Sequence, residues 1–158
     1  MGQKGKEVVR LNLEELLEDL TRAYCDEWLS HYYYSLAGTL VAGLYSPELA
    51  KRLKEQSMSE YEHSQRIARR IVELGAEPPR DFAEVARRAA MPPFKMPQKP
   101  SDIPGLVNAV LEAERHAIGY YAQMVEKTRH HDPVTYVMVE DMLTDEVADE
   151  EWWENLLR

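Results

Sequence analysis

One cysteine, Cys25, is the only thiol in the chain, which excludes an intrachain disulfide and suits a reducing compartment. Its flanks read as a helix, so it is expected to be a packed thiol. No apolar run approaches the roughly 18 residues of a membrane span, and a basic start followed by an apolar stretch and a small-residue cleavage site is missing. These absences predict a cytoplasmic protein with no membrane partner. Positive charge is scarce too: 19 Lys and Arg stand against 28 Asp and Glu, a net charge of −9. That balance argues against a dedicated nucleic-acid binder. Lys4, Lys6 and Arg10 make a small basic cluster in a loose tail, residues 1–10, through which any DNA contact would have to pass. Strand-period segments and long low-complexity runs are also lacking.

What is present is helix. With 158 residues, 44% hydrophobic and 30% charged, the chain can build one core of its own, and residues 11–158 are read as a single all-α domain. Four long segments carry helical periodicity. The first covers residues 11–44, with Asn12 as its cap and an apolar stripe ending at Val41 and Leu44. The second opens with Ser46 as cap and Pro47 at the first helical position, and stops before Gly75. The third covers about 104–129, and the fourth runs from Pro133, capped by Asp132, to about Leu157. The joints 1–2 and 3–4 are short and predict two antiparallel hairpins.

Between Gly75 and Pro104 the pattern breaks at Pro78, Pro79, Pro92, Pro93, Pro97, Pro100 and Pro104, leaving room for one short helix at about 81–90. A connection this long needs a task. Here it crosses the length of a bundle, so that the third helix runs parallel to the second.

The inner stripes of this four-helix bundle are interrupted by acids. On the first helix Leu20, Tyr24, Glu27, His31, Tyr34 and Val41 share a face, and on the second Glu60 and His63 interrupt Leu49, Leu53, Ile67, Ile71 and Leu74. On the third the stripe is Val107, Val110, Glu114, Ala117, Tyr121, Met124; on the fourth it is Val139, Met142, Glu146, Asp149, Trp153, Leu156. Asp145 with Asp149, one register over, competes with the pair Glu146 and Asp149. Asp26 is read as facing Arg22 and Asp19, and Glu62 as solvated with Glu55, Arg66 and Arg69.

Four helices with an acid at mid-stripe place facing carboxylates at one level, where they repel and hold protons unless cations sit between them. Oxygen and imidazole donors suit iron or manganese, and zinc less well without thiolates. Two bridged metals are expected. Tyr34 follows Glu27 by seven residues and Tyr121 follows Glu114 by seven, nearly two turns, so each phenol can reach a ligand carboxylate across the bundle.

The stretches Asp26-Glu27-Trp28 through His31-Tyr32-Tyr33-Tyr34, Glu60-Tyr61-Glu62-His63, Ala113-Glu114-Arg115 with Tyr120-Tyr121, and Asp145-Glu146 through Glu151-Trp152 resemble the helices of ferritin-like di-iron proteins, bacterioferritin and the Dps-like mini-ferritins. The resemblance covers nearly the whole chain from Leu11. It implies a ferritin-like bundle in which Glu27, Glu60, His63, Glu114 and Glu146 ligate two iron ions, with Glu60 and either Glu146 or Glu114 as bridges. Where those families have a histidine this chain has Asp149, which is expected to ligate directly, bind through water, or leave one metal weakly held. His31, His116, His130 and His131 are the substitutes to consider.

A short crossover helix with no fifth helix resembles the mini-ferritins, which implies a homo-oligomeric shell of twelve subunits with the site inside each subunit. The implied activity is ferroxidase: Fe(II) oxidised by hydrogen peroxide or dioxygen, then Fe(III) stored, protecting against oxidative stress. Tyr34 and Tyr121, or Trp152 and Trp153, are candidates to supply or relay an electron. Two rivals use the same sequence features: a rubrerythrin-like di-iron or di-manganese peroxidase without storage, and a bundle that has lost its metal.

Overall fold

The computed structural model describes residues 2–158, the side chains of Gln3 and Lys6 excepted, so Lys4 and Arg10 are the described members of the basic cluster. Six helices are found among the described residues, and no strand: α1 (Gln3–Glu7), α2 (Leu13–Leu40), α3 (Ser46–Glu73), α4 (Phe82–Arg88), α5 (Ile103–Thr128) and α6 (Pro133–Asn155). The four long ones, α2, α3, α5 and α6, form the bundle. None of the described helices is long and apolar enough to cross a membrane.

The capping residues explain where the helices start. Asn12 accepts from the backbone N–H groups of Glu14 and Glu15, Asp81 from Glu84, Asp102 from Gly105, and Asp132 from Val134 and Thr135. Two boundaries differ from the sequence reading. Ser46 lies inside α3, whose N-cap is Tyr45 and makes no side-chain cap. α2 stops at Leu40, not Leu44: Val41 leaves the helical region with ψ 133°, and Gly43, at a left-handed φ of +117°, turns the chain, leaving Leu44 85% exposed. Leu156 likewise follows the end of α6 and is exposed rather than part of the inner stripe.

The order of the helices in space follows from their cross-contacts. His31 of α2 meets Ser57 of α3, and an added Cβ on Gly38 would lie 3.2 Å from Leu53 Cβ, so α2 and α3 run antiparallel and close together. Arg52 pairs with Asp149 near one end of α3, and Arg70 with Asp132 near the other, which makes α3 and α6 antiparallel. Tyr34 reaches Glu114 and Tyr121 reaches Glu27, so α2 and α5 are antiparallel as well. The result is an up-down-down-up bundle.

The crossover climbs along α2. Asp26 accepts from the N–H groups of Ala90 (2.7 Å) and Met91 (2.9 Å), Phe94 stacks on Tyr33, and Ala42 N–H donates to the Pro100 carbonyl. Asp26 is therefore a half-buried anchor for the crossover, not a partner of Arg22 and Asp19. Two apolar layers fill the bundle: Leu16, Leu20, Ile67, Ile71, Val139 and Met142 at one end, and Leu49, Leu53, Val107, Val110 and Trp153 at the other. The inward acids lie between these layers and are almost wholly buried, where an unpaired charge is costly. Cys25 is buried in the first layer, where burial pushes its thiol up to about 12, so it stays an inert packing group.

Candidate metal centre

Glu27, Glu60, His63 and Glu146, one or two from each of α2, α3 and α6, are all buried and each offers a ligand atom within 4.8 Å of the others. A second group, Glu60, Glu114 and Asp149, meets the same distance limit and adds α5. Glu60 belongs to both, so its carboxylate stands between the two halves of the cage. All six residues picked from the helical stripes thus converge on one level of the bundle.

His63 is aimed by its neighbours. Its Nδ1 lies 3.3 Å from Glu146 Oε1, 3.5 Å from Glu60 Oε2 and 3.7 Å from Glu27 Oε2, yet forms no properly directed hydrogen bond to any of them. Its other nitrogen, Nε2, is 3.2 Å from Asp145 Oδ2. Asp145 is thus not an inward ligand in register with Asp149; it is an exposed carboxylate that fixes the ring from behind. The helical stripe could not reveal this, because Asp145 sits one position off the face it serves.

The tyrosines cross over as their spacing suggests. Tyr34 Oη donates to Glu114 Oε1, and Tyr121 Oη donates to Glu27 Oε1. Sequence reading missed two other neighbours, Gln56 and Arg52. Gln56 donates to Glu114 Oε1 at 2.6 Å and accepts from Trp153 Nε1 at 2.7 Å, while Arg52 pairs with Asp149. Gln56 lies one turn before Glu60 on the same stripe, a signal that was available; Arg52 is two turns before it.

The other histidines are engaged elsewhere. His31 Nδ1 is 2.7 Å from the Ser57 carbonyl, His116 Nε2 is 3.1 Å from Asp26 Oδ2, and His130 and His131 are exposed in the α5–α6 turn. A narrow cavity of about 20 Å³, room for a single water-sized group, is lined by Asp26, Ser30, Met91 and His116 and reaches Glu60, Glu114 and Glu146.

The electrostatics are those of carboxylates crowded together. Burial, then the charges of Glu146 and Glu27, raise the Glu60 carboxyl well above its ordinary value, and burial with Glu146 does the same to Glu114. Glu146 is pushed up to about 7, chiefly by burial, with His63 opposing. Burial also pushes Glu27 up, but His63 outweighs it and the carboxyl lies below the ordinary range. Burial favours a neutral His63 ring, yet Glu146, Glu27 and Glu60 overcome it and raise its pKa.

Three buried polar atoms have no hydrogen-bond partner in this cage: His63 Nδ1, Glu114 Oε2 and Glu146 Oε1. Unpaired buried donors and acceptors are rare, and here they fall in both ligand groups: His63 and Glu146 in one, Glu114 in the other. The donor set, carboxylate oxygens and one imidazole, fits iron or manganese.

A four-helix bundle of up-down-down-up order with a buried carboxylate and histidine cage at mid-height defines the class of carboxylate metal-binding bundles. The family described as the ferritin-like domain matches residues 17–158. A DNA protection during starvation protein of Pyrococcus furiosus is 33% identical over 147 residues, 93% of this chain and 79% of that protein. Among solved structures, a dodecameric thioferritin, the bacterioferritin-related protein from Bacteroides fragilis, superposes with a TM-score of 0.89 at 26% identity, covering 94% of this chain and 87% of that one. Dps from Thermosynechococcus elongatus superposes with a TM-score of 0.84 at 17% identity, over 92% and 91% of the two chains, and shares the fold. The chain belongs to the ferritin-like family, within its Dps-like mini-ferritin branch.

Proposed function

We propose that this chain is an iron-oxidising and iron-storing mini-ferritin that takes Fe(II) as substrate and hydrogen peroxide or dioxygen as oxidant. The observation that carries this reading is the sharing of Glu60 between two ligand groups, around which three buried polar atoms lack partners. Glu27, His63 and Glu146 would hold one ion, Glu114 and Asp149 the other, with Glu60 between them. Two Fe(II) side by side each supply one electron, so that one hydrogen peroxide and two protons leave as two waters. Manganese suits the same donors.

The chain's own residues do the rest. Tyr34 and Tyr121 hold Glu114 and Glu27 in place, and Asp145 sets the tautomer and tilt of His63. The narrow cavity beside Asp26, Ser30, Met91 and His116, with room for one water-sized group, leads to Glu60, Glu114 and Glu146. Both relatives' names bear on assembly and role: one is a starvation protein that protects DNA, the other a dodecamer. A homo-oligomeric shell, twelve subunits by that likeness, would give oxidised iron a cavity and limit oxidative damage in the cytoplasm. Exposed apolar residues such as Leu44, Tyr45, Val72 and Val137 supply surface for subunit contacts.

The test is an anaerobic Fe(II) titration followed by a peroxide pulse, on the wild type and Glu60→Ala. Two irons per subunit, oxidised rapidly in the wild type and not in the variant, support the paired site; no binding overturns it. Loading with excess iron then separates storage from a rubrerythrin-like peroxidase, since only a storage shell carries many irons per subunit through gel filtration.

A further inference from the structure

The two halves of the cage are not equivalent, and the difference lies in a cation that belongs to the protein. Arg52 Nη2 donates to Asp149 Oδ1, and the pair is largely shielded, with side-chain exposures of 23% and 17%. The guanidinium lies over the Trp152 ring, 5.1 Å from its centroid, which fixes its position from the other side. Its Nε is buried without a partner. A guanidinium keeps its charge at any pH a protein survives, so one oxygen of Asp149 is permanently engaged and its charge offset.

Glu114 is constrained in a similar way. Its Oε1 already accepts from both Tyr34 and Gln56, leaving Oε2 alone to face the cage. A cation between Glu60, Glu114 and Asp149 would therefore meet three carboxylates, one of them partly neutralised, with a positive guanidinium next to it. A cation between Glu27, Glu60, His63 and Glu146 would meet three carboxylates and an imidazole whose free Nδ1 points at it, with no fixed cation beside it.

We propose that Arg52 sets the two metal affinities apart: it weakens the half built on Glu114 and Asp149, so that one divalent cation is held as a resident and the second is exchangeable. This rests on the two-metal reading of the cage. The weakly held ion is then the one that can be handed on, while the tightly held one keeps Glu60 in place for its successor. Arg52 is a residue that determines specificity through Asp149, and it touches no substrate.

The probe is Co(II), which does not oxidise in air under these conditions and whose visible d–d absorption reports its coordination. Titration of the whole protein, followed by absorbance and calorimetry, is expected to give two sites per subunit with dissociation constants at least tenfold apart. In Arg52→Gln the weaker site should tighten fivefold or more while the tighter one changes less than twofold. Arg52→Lys keeps a positive charge and should leave the weaker site weak. Two equal sites in the wild type would overturn the proposal even if the variants failed to fold, and so would an Arg52→Gln variant whose weaker site is unchanged or weaker still. A lysine variant that tightens as glutamine does would also overturn it, since charge would not be the cause. Absence of any Co(II) binding, or binding undisturbed by Glu60→Ala, would instead sink the two-metal reading beneath it.

Discussion

The hydroxyl of Tyr121 on α5 donates to the carboxylate of Glu27 on the neighbouring helix α2. Tyr34 on α2 makes the reciprocal bond to Glu114 on α5, so the two antiparallel helices brace each other's ligands. Each tyrosine is fully inside the protein, and each phenol is held protonated by burial and by the carboxylate charge it faces. Tyr121→Phe keeps the ring and its packing but frees Glu27. Loss of such a supporting hydrogen bond costs roughly 10–100-fold in metal affinity. The expectation is a variant that melts within a few degrees of the wild type and binds its tighter Co(II) about tenfold more weakly.

Asp145 supports His63 from the solvent side, and its removal should be felt at the metal and not in the fold. The residue is exposed, so Asp145→Ala is expected to change stability by no more than about 0.5 kcal/mol. With Nε2 released, the ring can turn Nδ1 away from Glu146 and Glu60. The tighter Co(II) site should weaken by about tenfold, whereas Asp141→Ala, on the same helix but paired with Arg66, should leave it unchanged.

The main features of the cage were legible because a helical face is a local property. Glu27, Glu60, Glu114 and Glu146 each occupy a position that only a core residue should hold, and periodicity alone reveals that. The equal spacing of Glu27 with Tyr34 and Glu114 with Tyr121 likewise encoded the crossed hydrogen bonds. Arg52, Asp145 and Asp26 were not legible in their roles, since each lies off the inner stripe and acquires its meaning from a partner on another element: Asp149, His63 and the crossover. The true end of α2 was hidden for a different reason. Val41 and Leu44 continue the apolar spacing, and only the backbone at Val41 and the turn at Gly43 show that the chain has already left the helix.

The raised carboxyls make metal uptake a proton-releasing step. Glu60, Glu114 and Glu146 bind protons more tightly in the folded chain than in the unfolded one, whose reference value is 4.5. Their contribution to stability is therefore full below about that value and lost as pH rises through the folded values, about 7 for Glu146. The metal-free protein should melt some 5–10 °C lower at pH 8 than at pH 5.5. Co(II), which needs the carboxylates ionised, should bind more tightly across the same interval and remove the decline. A melting temperature of the chelator-treated protein that rises with pH over this range would contradict the assignment.

Far from the cage, Asp132 closes the other end of α3 and α6 with opposite pH behaviour. Wholly buried, it receives Arg70 Nη2 on both oxygens at 2.9 Å, the Thr135 hydroxyl, and the N–H groups of Val134 and Thr135 at 3.1 Å. Burial pushes its carboxyl up, but Thr135 and Arg70 outweigh it and hold the carboxyl below the ordinary 3.8. A lowered folded value gives stability that is present above the unfolded pKa and is lost as pH falls through the folded one. Asp132→Ala removes a helix cap and takes the buried partner from a guanidinium that is only 6% exposed and keeps just Thr135 and the exposed Glu73, which should cost roughly 3 kcal/mol. Asp132→Asn keeps the cap acceptor and loses the charge, so it should fall between the two and flatten the acid limb of the unfolding curve below about pH 4. Neither change should alter Co(II) binding in whatever fraction stays folded, because the network shares no residue with the cage; chemical denaturation from pH 3 to 7 together with Co(II) titration at pH 7 measures both halves of this expectation.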